Sequence, residues 1–124
     1  MIKIDRSELK AFYRIRDSMR SHIQAETIKY IRALGPDQKG IYISDHAIVR
    51  YLERVKGKIF DKAMTDTQIM ERLSYMEGYV GDIRDEMISI QEDRDILKSQ
   101  KSFFRKDGFG YIIKELAVVT VIKI

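Results

Sequence analysis

The chain is predicted to be α+β, with helices first and a small antiparallel sheet last. Three observations point there. An amphipathic helical stripe occupies the first 34 residues. Further helical segments follow between residues 44 and 100. The last 23 residues are β-rich, with a hairpin signal at Asp107-Gly108 and an apolar block Leu116-Ala117-Val118-Val119-Thr120-Val121-Ile122 of strand length. A length of 124 residues fits one domain, and 44% hydrophobic content can supply a core.

Ser7 opens the first helical pattern, with Glu8 placed to suit the helix dipole. Leu9, Phe12, Ile15, Met19, Ile23, Tyr30, Ile31 and Leu34 recur at helical spacing, so residues 1–34 are predicted to form one long helix. Gly35-Pro36 ends it. Ile41-Tyr42-Ile43 is a strand stub or an extended lead-in. Ser44 or Asp45 caps a helix over 44–56, closed by Gly57. Residues 58–64 read as a loop. Thr65-Asp66-Thr67 caps the next helix, which Gly78 and Gly81 interrupt, and Asp82 restarts a helix to about Lys98. Residues 65–100 thus form an acidic helical insertion. Strands at 102–106, 109–114 and 117–122, joined at Asp107-Gly108 and near Glu115-Leu116, make an antiparallel meander over 102–124.

Charge is unevenly placed within a net of +4. Residues 1–60 hold 13 Lys and Arg against 7 Asp and Glu, residues 61–100 hold 5 against 10, and residues 101–124 hold 5 against 2. The basic ends could meet nucleic acid, or the acidic middle could neutralise them within the fold or across a dimer. There is no cysteine, which excludes disulfides and thiolate metal sites and suits a reducing cytoplasm. No secretory signal and no membrane-length apolar run is present, so a cytoplasmic location is expected. No cofactor or metal is expected: there is no Gly-rich phosphate loop, and the acidic residues lack the compact loop of a calcium site.

The run Ser44-Asp45-His46-Ala47-Ile48-Val49-Arg50-Tyr51-Leu52-Glu53-Arg54 carries the chemistry. On a helix, His46, Arg50 and Arg54 fall within an arc of about 80°, while Ala47, Ile48, Tyr51, Leu52 and Val55 make the opposite, apolar face. The first turn of a helix disfavours an imidazolium and attracts anions. A neutral imidazole can act as a base, and guanidiniums fork onto phosphate oxygens. The combination suits attack of an RNA 2′-hydroxyl on the neighbouring phosphate. A solvated helix face would carry the same residue types. Ser44 and Tyr51 are the candidate substrate contacts beside it, and Glu53 could hold the guanidiniums in place. His22 could pair with His46, and outward members of Phe103, Phe104, Phe109 and Tyr111 could stack on bases.

The pattern Ser44-Asp45-His46-Ala47-x-x-Arg50-Tyr51-x-x-Arg54 with Val118-Val119-Thr120-Val121 resembles the barnase–EndoU–colicin–RelE superfamily of metal-independent ribonucleases, as found in toxin-like and phage-encoded small domains. The resemblance covers about 20 residues in two segments. It implies a helix-then-meander fold, RNA as partner, and His46, Arg50, Arg54 and Thr120 as catalytic residues, with the Thr120 hydroxyl on the scissile phosphate. The long acidic helical segment and the extra N-terminal helix depart from the pattern. They leave room for a descendant that binds RNA without cutting it. They also admit a different class of protein, a non-catalytic interaction module that dimerises or binds a host protein through its helices.

Overall fold

The Val-rich block and the Asp107-Gly108 turn form the strands expected of them. In a computed structural model that describes residues 6–14 and 20–124, with the side chains of residues 12–14 and 20–23 left outside that description, the chain is α+β. The elements are α1 (Arg6–Arg14), α2 (Arg20–Ala33), β1 (Tyr42–Ile43), α3 (Asp45–Arg54), α4 (Asp66–Ser74), α5 (Tyr79–Met87), α6 (Ile90–Ser99), β2 (Phe103–Lys106), β3 (Phe109–Lys114) and β4 (Ala117–Lys123). The basic residues Lys3 and Arg16, and the imidazole of His22, lie outside the described residues.

The meander β2–β3–β4 is antiparallel as predicted. Asp107 and Gly108 take φ of 53° and 82°, the left-handed pair that a two-residue hairpin turn requires. The lead-in at Ile41–Ile43 becomes a fourth strand. β1 pairs parallel to β4, giving the order β1-β4-β3-β2, so the sheet is mixed rather than a pure meander. The second turn places two ordinary L-residues, Glu115 (φ 49°) and Leu116 (φ 65°), in left-handed backbone. Such a conformation costs about 1–2 kcal/mol per residue. Leu116 offsets that cost because its side chain is buried and its carbonyl accepts from Tyr42 N at 2.8 Å and Arg6 Nη2 at 3.2 Å.

α3 lies across β4 and supplies the centre of the core. Ala47, Ile48 and Leu52 of the anticipated apolar face are wholly buried, and Val49, which the spacing left outside that face, is buried with them. Burying Ile48 and Leu52 contributes about 1.5–3 kcal/mol each. Facing them are Val118, Val121, Tyr111 and Ile43 from the sheet.

Two expected boundaries move. The predicted helix over 1–34 is described as two helices, α1 and α2, which contact each other. Residues 15–19 between them lie outside the described residues. In the acidic segment, Gly78 marks the expected break, standing in left-handed backbone (φ 76°) between α4 and α5, whereas Gly81 sits inside α5 and a further break falls at Ile88-Ser89. Ser89 accepts from Glu92 N at 3.1 Å while the Glu92 carboxylate accepts from Ser89 N at 2.9 Å. That reciprocal cap starts a new helix whatever the glycines upstream prefer.

The acidic segment neutralises its basic surroundings within the fold. Asp66 meets His46 and Arg50, Asp85 meets Lys39 at 2.6 Å, Glu86 meets Lys56, and Glu92 meets Lys106 at 2.9 Å. Lys106 also donates to the carbonyls of Glu86 and Met87, satisfying the open end of α5. Deepest is Asp93, with no exposed surface. Its carboxylate accepts from Gly40 N at 3.0 Å and Ile41 N at 2.8 Å, and Arg94 Nη1 lies 2.6 Å from it. Arg94 then reaches the carbonyls of Gly35 and Gln38 with its other nitrogen, so one Asp-Arg dipeptide fastens the loop that leads into β1. Among the described residues, no helix is long and apolar enough to cross a membrane.

Candidate active site on the motif helix

Ser44 sets the position of everything that follows. Its backbone is extended (φ −69°, ψ 156°), its Oγ accepts from Ala47 N at 3.1 Å, and its N–H donates to Val118 O at 3.1 Å. One residue therefore ends the β1 ladder and caps α3. The hydroxyl also reaches Val119 O at 3.4 Å, so its contacts are structural, and the expected substrate contact at Ser44 is not formed by a free hydroxyl.

His46 follows in the first turn with its side chain 52% exposed. Its Nδ1 lies 2.7 Å from Asp66 Oδ2. The other oxygen of Asp66 accepts from Arg50 Nη2 at 3.1 Å, and Arg50 Nη1 pairs with Glu53 Oε1 at 3.0 Å. Asp66 stands at the start of α4 because Thr65 and Gln68 form a reciprocal cap there. The carboxylate thus bridges imidazole and guanidinium from a helix that begins twenty residues after His46. With Asp66 accepting at Nδ1, the neutral ring carries its proton on that nitrogen and leaves the Nε2 lone pair for a ligand. This is the orientation a general base requires.

Arg54, one turn beyond Arg50, donates from Nη1 to Val121 O at 2.6 Å. It closes a stretch of β4 edge that the two-residue β1 is too short to cover. Its remaining donors are on an exposed residue.

The structure brings His46 and Arg50 together through Asp66, keeps Arg54 on the same helix edge, and separates two of the predicted residues from them. Tyr51 is inside: 3% exposed, ring centroid 6.5 Å from that of Tyr111, and its hydroxyl donates to Glu86 Oε1 at 2.7 Å. Burial first, and then the contact with Glu86, hold its phenol above the ordinary tyrosine range. The expectation of Tyr51 as a substrate contact is therefore corrected, since its angle on α3 places it on the apolar face.

Thr120 is the second departure. Val121 pairs with Tyr111, and both are buried against α3. Neighbouring residues of a strand face opposite sides, so Thr120, paired with Ile112, projects from the face of the sheet away from α3. The register slips between Ile112 and Ile113, where Val119 is the unmatched residue of a bulge, and that extra residue is what keeps Val118 and Val121 on one side. The predicted convergence of the Thr120 hydroxyl with the motif side chains is not formed. Of the four aromatic candidates for base stacking, Phe104 and Tyr111 pack edge to face at 6.0 Å, while Phe103 is 38% exposed with Arg105 5.8 Å from its ring centre.

Asp66 is the site residue that sequence reasoning passed over as a helix start. An acid in a first turn is ordinary, and nothing local marks it as the partner of His46.

Among the described residues, no group of three His, Cys, Asp or Glu side chains could hold a metal ion. No protein-family model matches the chain, and no curated protein or solved structure matches it.

Proposed function

We propose that the chain acts on RNA phosphodiesters as a metal-independent endoribonuclease centred on His46. The observation that carries the reading is the 2.7 Å contact of His46 Nδ1 with Asp66 on a ring that is half exposed. In the reaction, His46 Nε2 takes the proton of an RNA 2′-hydroxyl. The oxygen attacks the adjacent phosphorus, the bond to the 5′-oxygen breaks, and the protonated imidazole or water returns a proton to that leaving oxygen. The products are a 2′,3′-cyclic phosphate and a 5′-hydroxyl. Arg54 offers its unengaged donors to the phosphoryl oxygens. Arg50, with both terminal nitrogens on carboxylates, is a positioning residue that holds Asp66 against His46. Thr120 has no part in this version of the site.

The test is cleavage of mixed-sequence RNA in the presence of a chelator. His46→Ala is expected to abolish cleavage, and Asp66→Asn to lower it by about 10²–10⁴-fold through loss of the ring's orientation. Thr120→Val is expected to leave it unchanged. Cleavage that persists in His46→Ala would remove the mechanism.

One observation favours a second reading, a non-catalytic module that binds a protein or a second copy of itself. At the end of α4, Tyr75 is 79% exposed and Met76 is 49% exposed. Light scattering that finds a stable dimer, together with no RNA cleavage by the wild-type chain, would select this reading.

A further inference from the structure

β2 stands at the edge of the sheet, with β3 on one side and no strand on the other. The opposite edge is partly closed. β1 covers the start of β4, and Ser44 Oγ and Arg54 Nη1 donate to the carbonyls of Val119 and Val121. The register of β2 fixes which of its backbone groups point outward. Ile113 N donates to Ser102 O at 2.9 Å, and bonded positions alternate along an antiparallel pair, so Ser102, Phe104 and Lys106 direct their backbone groups to β3. Phe103 and Arg105 therefore turn N–H and C=O away from the sheet. No hydrogen bond reaches those groups among the described residues.

The side chains along this edge alternate ring and cation. Phe103 and Arg105 share the sheet face away from α3, with the guanidinium 5.8 Å from the ring centre. The Phe103 ring lies over Gly110, where an added Cβ would collide with it, so it is laid flat against the strand and still 38% exposed. Phe104 faces the other way, edge to face with Tyr111 and with Lys101 Nζ 5.6 Å from its ring centre.

We propose that β2 is a self-association edge, on which two copies of the chain join antiparallel about a two-fold axis at Phe104 and merge two four-stranded sheets into one. In that register Phe103 of each copy pairs with Arg105 of the other, and every outward N–H and C=O of the two residues finds a partner. Each guanidinium enters between its own Phe103 ring and the ring of the other copy. Phe104 meets its counterpart at the close, unbonded position, where cross-strand side chains approach most nearly. Neighbouring registers fail. An axis at Phe103 sets Arg105 against Lys101, charge against charge, and the Lys101 N–H already donates to Ile96 O at 3.1 Å. An axis at Arg105 sets Phe103 against the left-handed turn residue Asp107 (φ 53°) and the two guanidiniums against each other. Any extended chain could bond to the backbone of this edge. The alternation of ring and cation selects a second β2. A charge on an edge strand ordinarily blunts pairing, but here ring faces on both sides receive it. The edge is distinct from the His46 helix, and the inference does not depend on the reaction proposed there.

The experiment follows the full chain from about 20 μM to about 1 mM by sedimentation and by residue-resolved amide exchange. A dimer is expected with a dissociation constant of about 10–100 μM, the weak regime of a small interface. Over that range the amides of Phe103 and Arg105 should exchange about fivefold more slowly, while those of Phe104 and Lys106, already bonded to β3, do not change. The copies each carry a net charge of +4, so raising NaCl from about 0.05 M to about 0.5 M should tighten the dimer about threefold. Arg105→Pro removes an outward donor and no bond to β3, and it should leave the chain monomeric. Phe103→Ser, on an exposed side chain, should weaken the dimer about tenfold and carries the same test if the proline variant does not fold. A monomer throughout the range, or a dimer that salt dissociates, overturns the proposal. So does a dimer that leaves the Phe103 and Arg105 amides unprotected, as one formed through Tyr75 and Met76 would, or one that survives Phe103→Ser at full strength.

Discussion

Replacing Asp93 with asparagine tests the strongest structural claim, that a buried carboxylate holds the loop before β1. The carboxylate accepts from two backbone N–H groups and is paired with Arg94 Nη1. Asparagine is nearly isosteric and has one acceptor oxygen where aspartate has two. One of the Gly40 and Ile41 N–H groups then faces an amide NH₂, a donor against a donor. Charge-assisted hydrogen bonds are worth about 1.5–3 kcal/mol each, and an unanswered buried donor costs about 1–3 kcal/mol. Removing one partner of a buried ion pair costs about 3–5 kcal/mol. Arg94 keeps its bonds to the Gly35 and Gln38 carbonyls and its side chain retains 17% exposure, which places the loss near the lower bound. The expected destabilisation is about 3 kcal/mol, a large part of the roughly 5–15 kcal/mol that such a domain possesses. Urea denaturation followed by circular dichroism should show a lower midpoint with an unchanged slope. Hydrogen exchange at Gly40 and Ile41 should accelerate more than elsewhere. A loss below about 1 kcal/mol, or exchange that speeds up uniformly, would refute the reasoning.

Gly40→Ala should destabilise by about 1–3 kcal/mol in the same denaturation assay, since an added Cβ would stand 2.8 Å from Leu97 Cδ1 and Tyr30 Cε2 and 2.9 Å from Leu34 Cδ1. Acid should weaken the fold through two glutamates. Hydrogen bonds from Lys56 and then Tyr51 hold Glu86 below the ordinary glutamate range. Burial alone would raise Glu92, but hydrogen bonds from Lys106 and Ser89 outweigh it and leave that carboxyl lowered as well. A depressed folded value means that this stability is fully present above the unfolded value of about 4.3 and is lost as pH falls through the folded values. Thermal midpoints should therefore drop below about pH 4.3, and a Glu86→Gln/Glu92→Gln variant should show a smaller drop over that range.

Local signals made much of this fold legible in the sequence. Asp107-Gly108 can take the two left-handed positions of a tight hairpin, and the meander follows from it. The spacing of Ala47, Ile48, Tyr51 and Leu52 identified both the length and the buried face of α3, and Ser44 announced its cap. Gly78 marked a real break, but Gly81 misled because a helix interior tolerates a glycine at about 1 kcal/mol when its neighbours Ile83 and Met87 are buried. The second break, at Ser89, was marked by a Ser-x-x-Glu pattern within a strongly charged stretch. The candidate site was legible in part. The helix edge with His46, Arg50 and Arg54 could be placed by angle alone. Asp66, and the face of the sheet on which Thr120 emerges, depended on a tertiary contact and on a bulge, neither of which leaves a periodic trace.

The short parallel pairing of Tyr42 and Ile43 with Ala117 and Val118 has a consequence for biosynthesis. Its two halves are 75 residues apart, and the surface on which α3 rests belongs to the last strand. While the chain is being made, α3 can meet α4 and α5 early, but its largest partner, β4, follows only after both of them and the rest of the sheet. Over that interval the side of α3 that β4 will cover stays open to aggregation or to capture by a chaperone.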